Sequence, residues 1–318
     1  MRVVVTGAAG FVGSHLAEQL LALGHDVVGI DAFIPYYPRP IKEANLAVAL
    51  QNPRFRFFEV DLRSDPVGEA FSGADAVIHE AAMPGLPQSW TNFDAYLTCN
   101  VQATQRLLEA CRAAKVGRLV YASTSSVYGL DATGSEDDPP KPVSPYGVTK
   151  LAAEELCRAY GRSFGLDVVY CRYFSIFGPR QRPDMAYHIF SRSLLEGKPI
   201  TVFGDGQQSR GNTYVLDIVD GTIRALERGR TGQVYNLGGG TEIALIDAIR
   251  ILERVTERAA TLDFRPNRVG DQRRTLADTG RARVELGWEP RVSIEAGLRA
   301  EVVWVRQALA VGLLEQVP

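Results

Sequence analysis

Short runs rich in Val, Ile, Phe and Tyr recur along the first half of the chain, at residues 2–6, 26–31, 55–62, 76–81, 118–124 and 166–174. Several are apolar at nearly every position, the mark of strands buried on both faces of a parallel sheet. Between them the apolar positions fall three and four apart. Val12, Leu16, Leu20 and Leu23 mark one helical face, and Leu97, Val101, Thr104, Leu108 and Cys111 mark another. Strands and helices alternating in this way predict an α/β fold, a doubly wound parallel sheet of the Rossmann kind with helices on both faces.

After about residue 174 the pattern loosens. Segments rich in Gly and Pro at 178–183, 204–211 and 238–240 separate shorter elements, and helical faces return at 216–226, 245–255 and 294–309. The reading is a first domain over 1–174, which also takes in about 211–237. A smaller, mixed α/β substrate-binding region covers most of 175–318. It is expected beside the carboxyl ends of the strands, where such folds bind ligands.

Composition then removes several function classes. A formal net charge of −2 gives no overall field toward nucleic acid or an anionic membrane. No apolar run reaches the length of a membrane span. The first strand begins at Arg2, which leaves no room for a signal peptide. Cys99, Cys111, Cys157 and Cys171 lie far apart and form no metal-type pair, so they read as buried free thiols in a cytoplasmic protein without a metal. Of the 35 basic residues only five are lysines (Lys42, Lys115, Lys141, Lys150 and Lys198). A lysine inside a chemical motif therefore carries more weight than usual.

The residues Thr6-Gly7-Ala8-Ala9-Gly10-Phe11-Val12-Gly13 follow the first strand and open the first helix. Gly7 permits the tight turn, Gly10 lets the backbone approach a pyrophosphate, and Gly13 lets helix and strand pack closely. The helix N-terminus adds N–H groups and a positive dipole end. Asp31 ends the second strand, where a carboxylate accepts hydrogen bonds from both ribose hydroxyls and repels a 2′-phosphate. No arginine immediately follows it, so the expected cofactor is NAD. Asp61 and Leu62, after the third strand, are placed to border the adenine.

Tyr146 and Lys150 stand four apart at the start of a helix and project from one face. A free tyrosine is a poor base at neutral pH. A lysine cation nearby favours the phenolate, so the pair forms a general acid/base, and Lys150 can also hold the nicotinamide ribose. A third member is expected in Ser123-Thr124-Ser125-Ser126-Val127-Tyr128-Gly129, at the end of the fifth strand.

The loop 6–13, the strand end 123–129 and the stretch 146–150 resemble the extended short-chain dehydrogenases that act on nucleotide sugars. The resemblance runs the whole chain. It includes His79-Glu80-Ala81-Ala82, Arg172-Tyr173-Phe174, Gly178-Pro179-Arg180-Gln181-Arg182-Pro183-Asp184-Met185 and Phe203-Gly204-Asp205-Gly206. It implies that Thr124 is the hydroxyl partner of Tyr146, and that Ala81, Ala82, Asn100, Ser123 and Tyr173 border the NAD site. It also implies that Arg210 and Arg268 meet a diphosphate, Asp271 a uridine ribose, and Phe203 the base. Members of the family commonly dimerise by pairing two helices per subunit, here those around 94–114 and 146–164.

Within that family, dehydratases carry Asp-Glu just before the Val-Tyr-Gly and the related decarboxylases carry a Glu. Here Ser125 and Ser126 stand there, expected to border the substrate as Ser175 is, and neither can ionise to shuttle protons. Epimerisation at C4 through a 4-keto intermediate needs no further acid or base. The stretch Arg182-Pro183-Asp184-Met185 most resembles UDP-glucuronate 4-epimerases, in which the matching arginine holds the substrate carboxylate. Arg180 is the neighbouring alternative. Ser175 stands where UDP-galactose epimerases usually carry Asn, which fits the uronate branch. The implied reaction is UDP-glucuronate to UDP-galacturonate, with epimerisation of UDP-glucose or UDP-N-acetylglucosamine as the alternative. A non-catalytic dinucleotide-binding regulator is the distant one.

Overall fold

A computed structural model describes residues 1–130, 133–266 and 274–317. The chain opens with six strands in order, β1 (Arg2–Thr6), β2 (Asp26–Asp31), β3 (Phe55–Glu59), β4 (Ala76–His79), β5 (Arg118–Thr124) and β6 (Val168–Tyr173). It then passes through β7 (Ser175–Phe177), β8 (Ile200–Phe203) and β9 (Ser209–Tyr214), and re-enters the first sheet as β10 (Val234–Leu237). The order across that sheet is β3-β2-β1-β4-β5-β6-β10, with every neighbouring pair parallel. The strand order reverses between β1 and β4, and at such a point the loops leaving the carboxyl ends diverge and open a crevice.

Alternation along β1 decides what each face buries. Val3 and Val5 point into a core shared with Leu16 and Leu20 of the helix Phe11–Ala22 and with Ile218 and Ile223 of the helix Val215–Arg228. Val4 points the other way, into a core with Leu107, Leu108, Cys111, Ala153 and Cys157 from the helices Ala103–Ala114 and Pro145–Phe164. Period-two side chains on a sheet covered on both sides leave no polar face, so the strands read as continuous apolar runs.

Expected and observed elements differ where the pattern is carried by one or two residues. β3, β4 and β6 are each shorter than the apolar runs containing them, because the residues after Glu59, His79 and Tyr173 turn out to line the crevice. Leu23 and Leu97 are about half exposed rather than on a buried face. At Leu97 the cause is geometric. Leu97–Gln102 winds as π-helix, with more residues per turn, and the face rotates before Ala103.

In the looser half, β9 is flanked by β11 (Thr241–Ala244), antiparallel to it, and by β13 (Arg274–Thr275) and β7, both parallel. β8 pairs separately with β12 (Leu262–Arg265). The helices Ala186–Glu196, Leu245–Thr256 and Ile294–Ala310 close a third apolar core around Phe177, Phe190, Leu252 and Leu298. The first of these helices has no counterpart among the expected elements. All four cysteines are buried and free. Among the described residues no cluster of His, Cys, Asp or Glu could hold a metal, and no helix is long and apolar enough to cross a membrane.

Candidate active site

The crevice at the reversal point begins with the glycine loop. Gly7 adopts a left-handed φ of 69°, and a Cβ there would lie 2.8 Å from the Ala81 nitrogen. A Cβ on Gly13 would lie 2.1 Å from the Gly7 carbonyl oxygen, an impossible approach for any other residue. The helix starts at Phe11 with Gly10 as N-cap and no side chain capping its first amides, so those N–H groups face the crevice with Gly7, Gly10, Phe11, Val12 and Gly13. Asp31 lines the same wall. Its carboxylate accepts from the Ala9 and Phe33 N–H groups, at 3.2 and 2.8 Å, which ties the strand end to the glycine loop. Burial raises its pKa, and the charge of Lys42 works against that. A left-handed glycine, an approach only Gly13 permits and a carboxylate beside open helix amides together fit a dinucleotide.

Opposite this wall, Ser144 caps the helix Pro145–Phe164 by accepting the Gly147 N–H at 3.1 Å, with Pro145 at its first position. A Cβ on Gly147 would lie 2.6 Å from the Ser126 carbonyl oxygen, so glycine is what lets this helix start against the end of β5. Tyr146 is thereby hydrogen-bonded with the Thr124 hydroxyl. Burial raises the Tyr146 pKa, and that hydrogen bond and the Arg182 charge pull it down. Lys150 Nζ donates to the Ala122 carbonyl at 2.6 Å and lies over the Tyr121 ring. Burial lowers Lys150 itself to about 8, opposed by Glu80 and Glu154.

Arg182 lines the crevice together with Tyr146, Thr124, Ser123 and Ser175. Its Nε and Nη2 donate to the two oxygens of Asp184, at 2.9 and 3.0 Å. Arg180 turns away and pairs with Glu18 at 2.7 Å, so of the two arginines it is Arg182 that faces the site. Leu62, Ala81, Ala82, Lys150 and Tyr173 also line the crevice. Ser123 additionally donates to buried Glu154 at 2.5 Å.

Other expected site residues lie elsewhere. Asp61 is gripped by Arg63, which lowers its pKa, and Leu62 alone of that pair reaches the crevice. Asn100 is a strut rather than a wall. Its amide nitrogen donates to the Met83 carbonyl and the Thr149 hydroxyl, and its oxygen accepts the Met83 N–H, which ties the loop after β4 to the catalytic helix. Ser125 and Ser126 are not among the lining residues, and the Ser126 hydroxyl accepts from Thr124 at 3.2 Å. Phe203 ends β8 and Arg210 sits in β9, and neither lines this crevice. Arg268 and Asp271 lie outside the described residues.

Sequence reasoning passed over two groups. Glu80 follows β4 in the stretch His79-Glu80-Ala81-Ala82. It accepts from Tyr173 Oη at 2.6 Å, and burial raises its pKa to about 7, opposed by that bond and by the Lys150 charge. Tyr36 and Tyr37, in the loop after β2, line the crevice as well. The signal for both was their position just past a strand's carboxyl end.

The model of the NAD dependent epimerase/dehydratase family matches residues 3–238. A Bacillus subtilis protein named an uncharacterized UDP-glucose epimerase is 43% identical over 309 residues, 96% of this chain and 98% of its own. The UDP-glucuronate 4-epimerase of Thermodesulfobacterium geofontis is 37% identical over 311 residues, 96% of each chain. The crystal structure of UDP-glucuronic acid 4-epimerase from Bacillus cereus, in complex with UDP-glucuronic acid and NAD, is similar with a TM-score of 0.93 and 43% identity. That match covers 96% of this chain and 99% of that one.

Proposed function

The chain belongs to the NAD dependent epimerase/dehydratase family, and from that premise we propose that it interconverts UDP-glucuronate and UDP-galacturonate at C4. The observation that carries this reading is the meeting of Tyr146, Thr124 and Arg182 in one crevice with a dinucleotide-shaped glycine loop. The enzyme uses NAD, which when bound supplies the acceptor and donor of the C4 hydride. Tyr146 Oη takes the C4 hydroxyl proton and returns it after the 4-keto sugar has turned over. Thr124 aligns that hydroxyl, and Lys150 holds the nicotinamide ribose. Arg182 grips the C6 carboxylate and fixes its orientation, which discourages loss of CO₂. Ser125 and Ser126 offer no ionisable group beside the site, so no elimination of water competes. Gly7, Gly10, Phe11, Val12, Gly13, Asp31, Leu62, Ala81, Ala82, Ser123 and Tyr173 form the NAD wall, and Ser175 borders the sugar. In this reading Phe203, Arg210, Arg268 and Asp271 belong to the nucleotide end of the substrate.

The test is incubation with UDP-glucuronate and with UDP-glucose, without added NAD, followed by proton NMR. Conversion of the glucuronate to its C4 epimer is expected. Conversion of the glucose alone would leave the mechanism and remove the carboxylate grip. Epimerisation of the neutral sugar is the second reading, favoured by the Asp184 carboxylate that already neutralises Arg182. A non-catalytic regulator is the third, and any turnover abolished in Tyr146→Phe excludes it. We further place the enzyme in the cytoplasm, on its four buried free thiols, and as a homodimer, on apolar side chains exposed along the helices 93–114 and 145–164.

A further inference from the structure

A guanidinium has two edges, each able to grip a carboxylate through two parallel N–H groups. In Arg182 the edge formed by Nε and Nη2 is filled by Asp184, at 2.9 and 3.0 Å. Asp184 is itself held, because Tyr36 Oη donates to its Oδ2 at 3.2 Å and the Tyr36 ring lies under the guanidinium, 5.6 Å away. Tyr36 has this place because residue 85 is glycine, where a Cβ would come within 2.4 Å of its hydroxyl. The loops after β2 and β7 therefore bring Tyr36 and Asp184 onto one guanidinium, and Arg182 lines the crevice together with Tyr146.

We propose that Asp184, clamped by Tyr36, sets the balance between acidic and neutral sugars by sharing Arg182 with the group at C6. The proposal rests on the reading of Arg182 given above. A uronate carboxylate on the free edge places two negative charges around one positive charge, a few ångströms apart in a partly buried site. A hydroxymethyl group on the same edge meets no such repulsion. Asp184 thus weakens a preference for uronate that Arg182 alone would make much steeper, and keeps neutral hexoses within reach of the site.

The experiment measures dissociation constants for UDP-glucuronate and UDP-glucose by calorimetry, in a Tyr146→Phe background loaded with NAD, with and without Asp184→Asn. Asparagine keeps a hydrogen bond to Arg182 and removes the charge. The glucuronate should bind about tenfold more tightly, with UDP-glucose changed less than about twofold. Tyr36→Phe should move the ratio the same way by a smaller amount. An unchanged ratio, a loss of glucuronate binding, or no binding of either sugar in either protein overturns the proposal. Turnover by the unmodified enzyme is read separately by NMR. If it converts neither sugar, the proposed reaction fails while the binding ratio still decides the part played by Asp184.

Discussion

Tyr146 lies between two influences that oppose each other. Burial holds its proton, while the Thr124 hydroxyl and the Arg182 cation favour its release. Removing the phenol oxygen takes away the proton carrier and nothing that supports the fold. Tyr146→Phe should lower kcat by about a thousandfold, with bound NAD retained, as absorbance and denaturation would report. Loss of NAD together with activity would show that the ring only shapes the cofactor wall. Glu80 makes a different prediction. Its carboxyl titrates near 7 in the folded chain, against 4.5 as the ordinary value. Between those values the folded chain keeps a proton that the unfolded chain has released, so this contribution to stability is present below 4.5 and lost as pH rises through 7. Glu80→Gln should therefore match wild type near pH 4.5 and gain about 2 kcal/mol near pH 8. Urea midpoints with the same difference at both pH values would sink that account. The spacing of Tyr146 and Lys150 was legible in the sequence, but the direction in which Lys150 points was not. That direction is set by the Ala122 carbonyl and the Tyr121 ring, which the sheet brings from 28 and 29 residues away.

At the scale of elements, the glycines carry the most specific information. Gly13 and Gly147 both stand where a helix start touches backbone from another segment, at 2.1 and 2.6 Å from a carbonyl oxygen for an added Cβ. The two approaches do different work. Gly13→Ala should push the first helix off β1 and strip the protein of NAD, readable as the cofactor released on denaturation. Gly147→Ala should keep NAD but shift Tyr146 relative to Thr124, which lowers kcat with little change in cofactor content. The reverse pattern would mean that the two walls of the crevice are misassigned. Six of the seven strands of the parallel sheet could be read because apolar residues dominate them, and β1, β4, β5 and β6 are buried on both faces. β7, β8 and β9 could not, since β7 and β8 have only three and four residues and β9 carries the polar residues Ser209, Arg210 and Asn212. Their pairing is set by loops whose composition says only that the chain turns.

The whole molecule raises the question of what covers its apolar exterior. Val148 and Phe164 are about half exposed on the helix Pro145–Phe164, and Trp90, Phe93 and Leu97 are exposed on the segment leading into the helix Ala103–Ala114. The two helices are tied to each other by Gln105, whose amide donates to Tyr160 Oη at 3.1 Å, and by Arg112 stacked on the Phe164 ring. They therefore offer one rigid surface rather than two mobile ones. The same helix carries Glu154, which forms a fully buried pair with Arg172 on β6 at 2.8 and 3.0 Å, so its position is also fixed from the core side. A rigid apolar face on an otherwise charged surface is the usual basis of a self-complementary interface. Sequence could mark these positions as apolar but could not separate them from core, because 3.6-residue spacing is the same for both. Sedimentation at micromolar concentration should give twice the chain mass for the wild type, and Val148→Glu should shift it to the monomer by placing two carboxylates at the centre of the contact. A wild-type monomer would remove the dimer. A Val148→Glu protein that stays dimeric would move the interface to another face and leave the exposure of these five side chains without a partner.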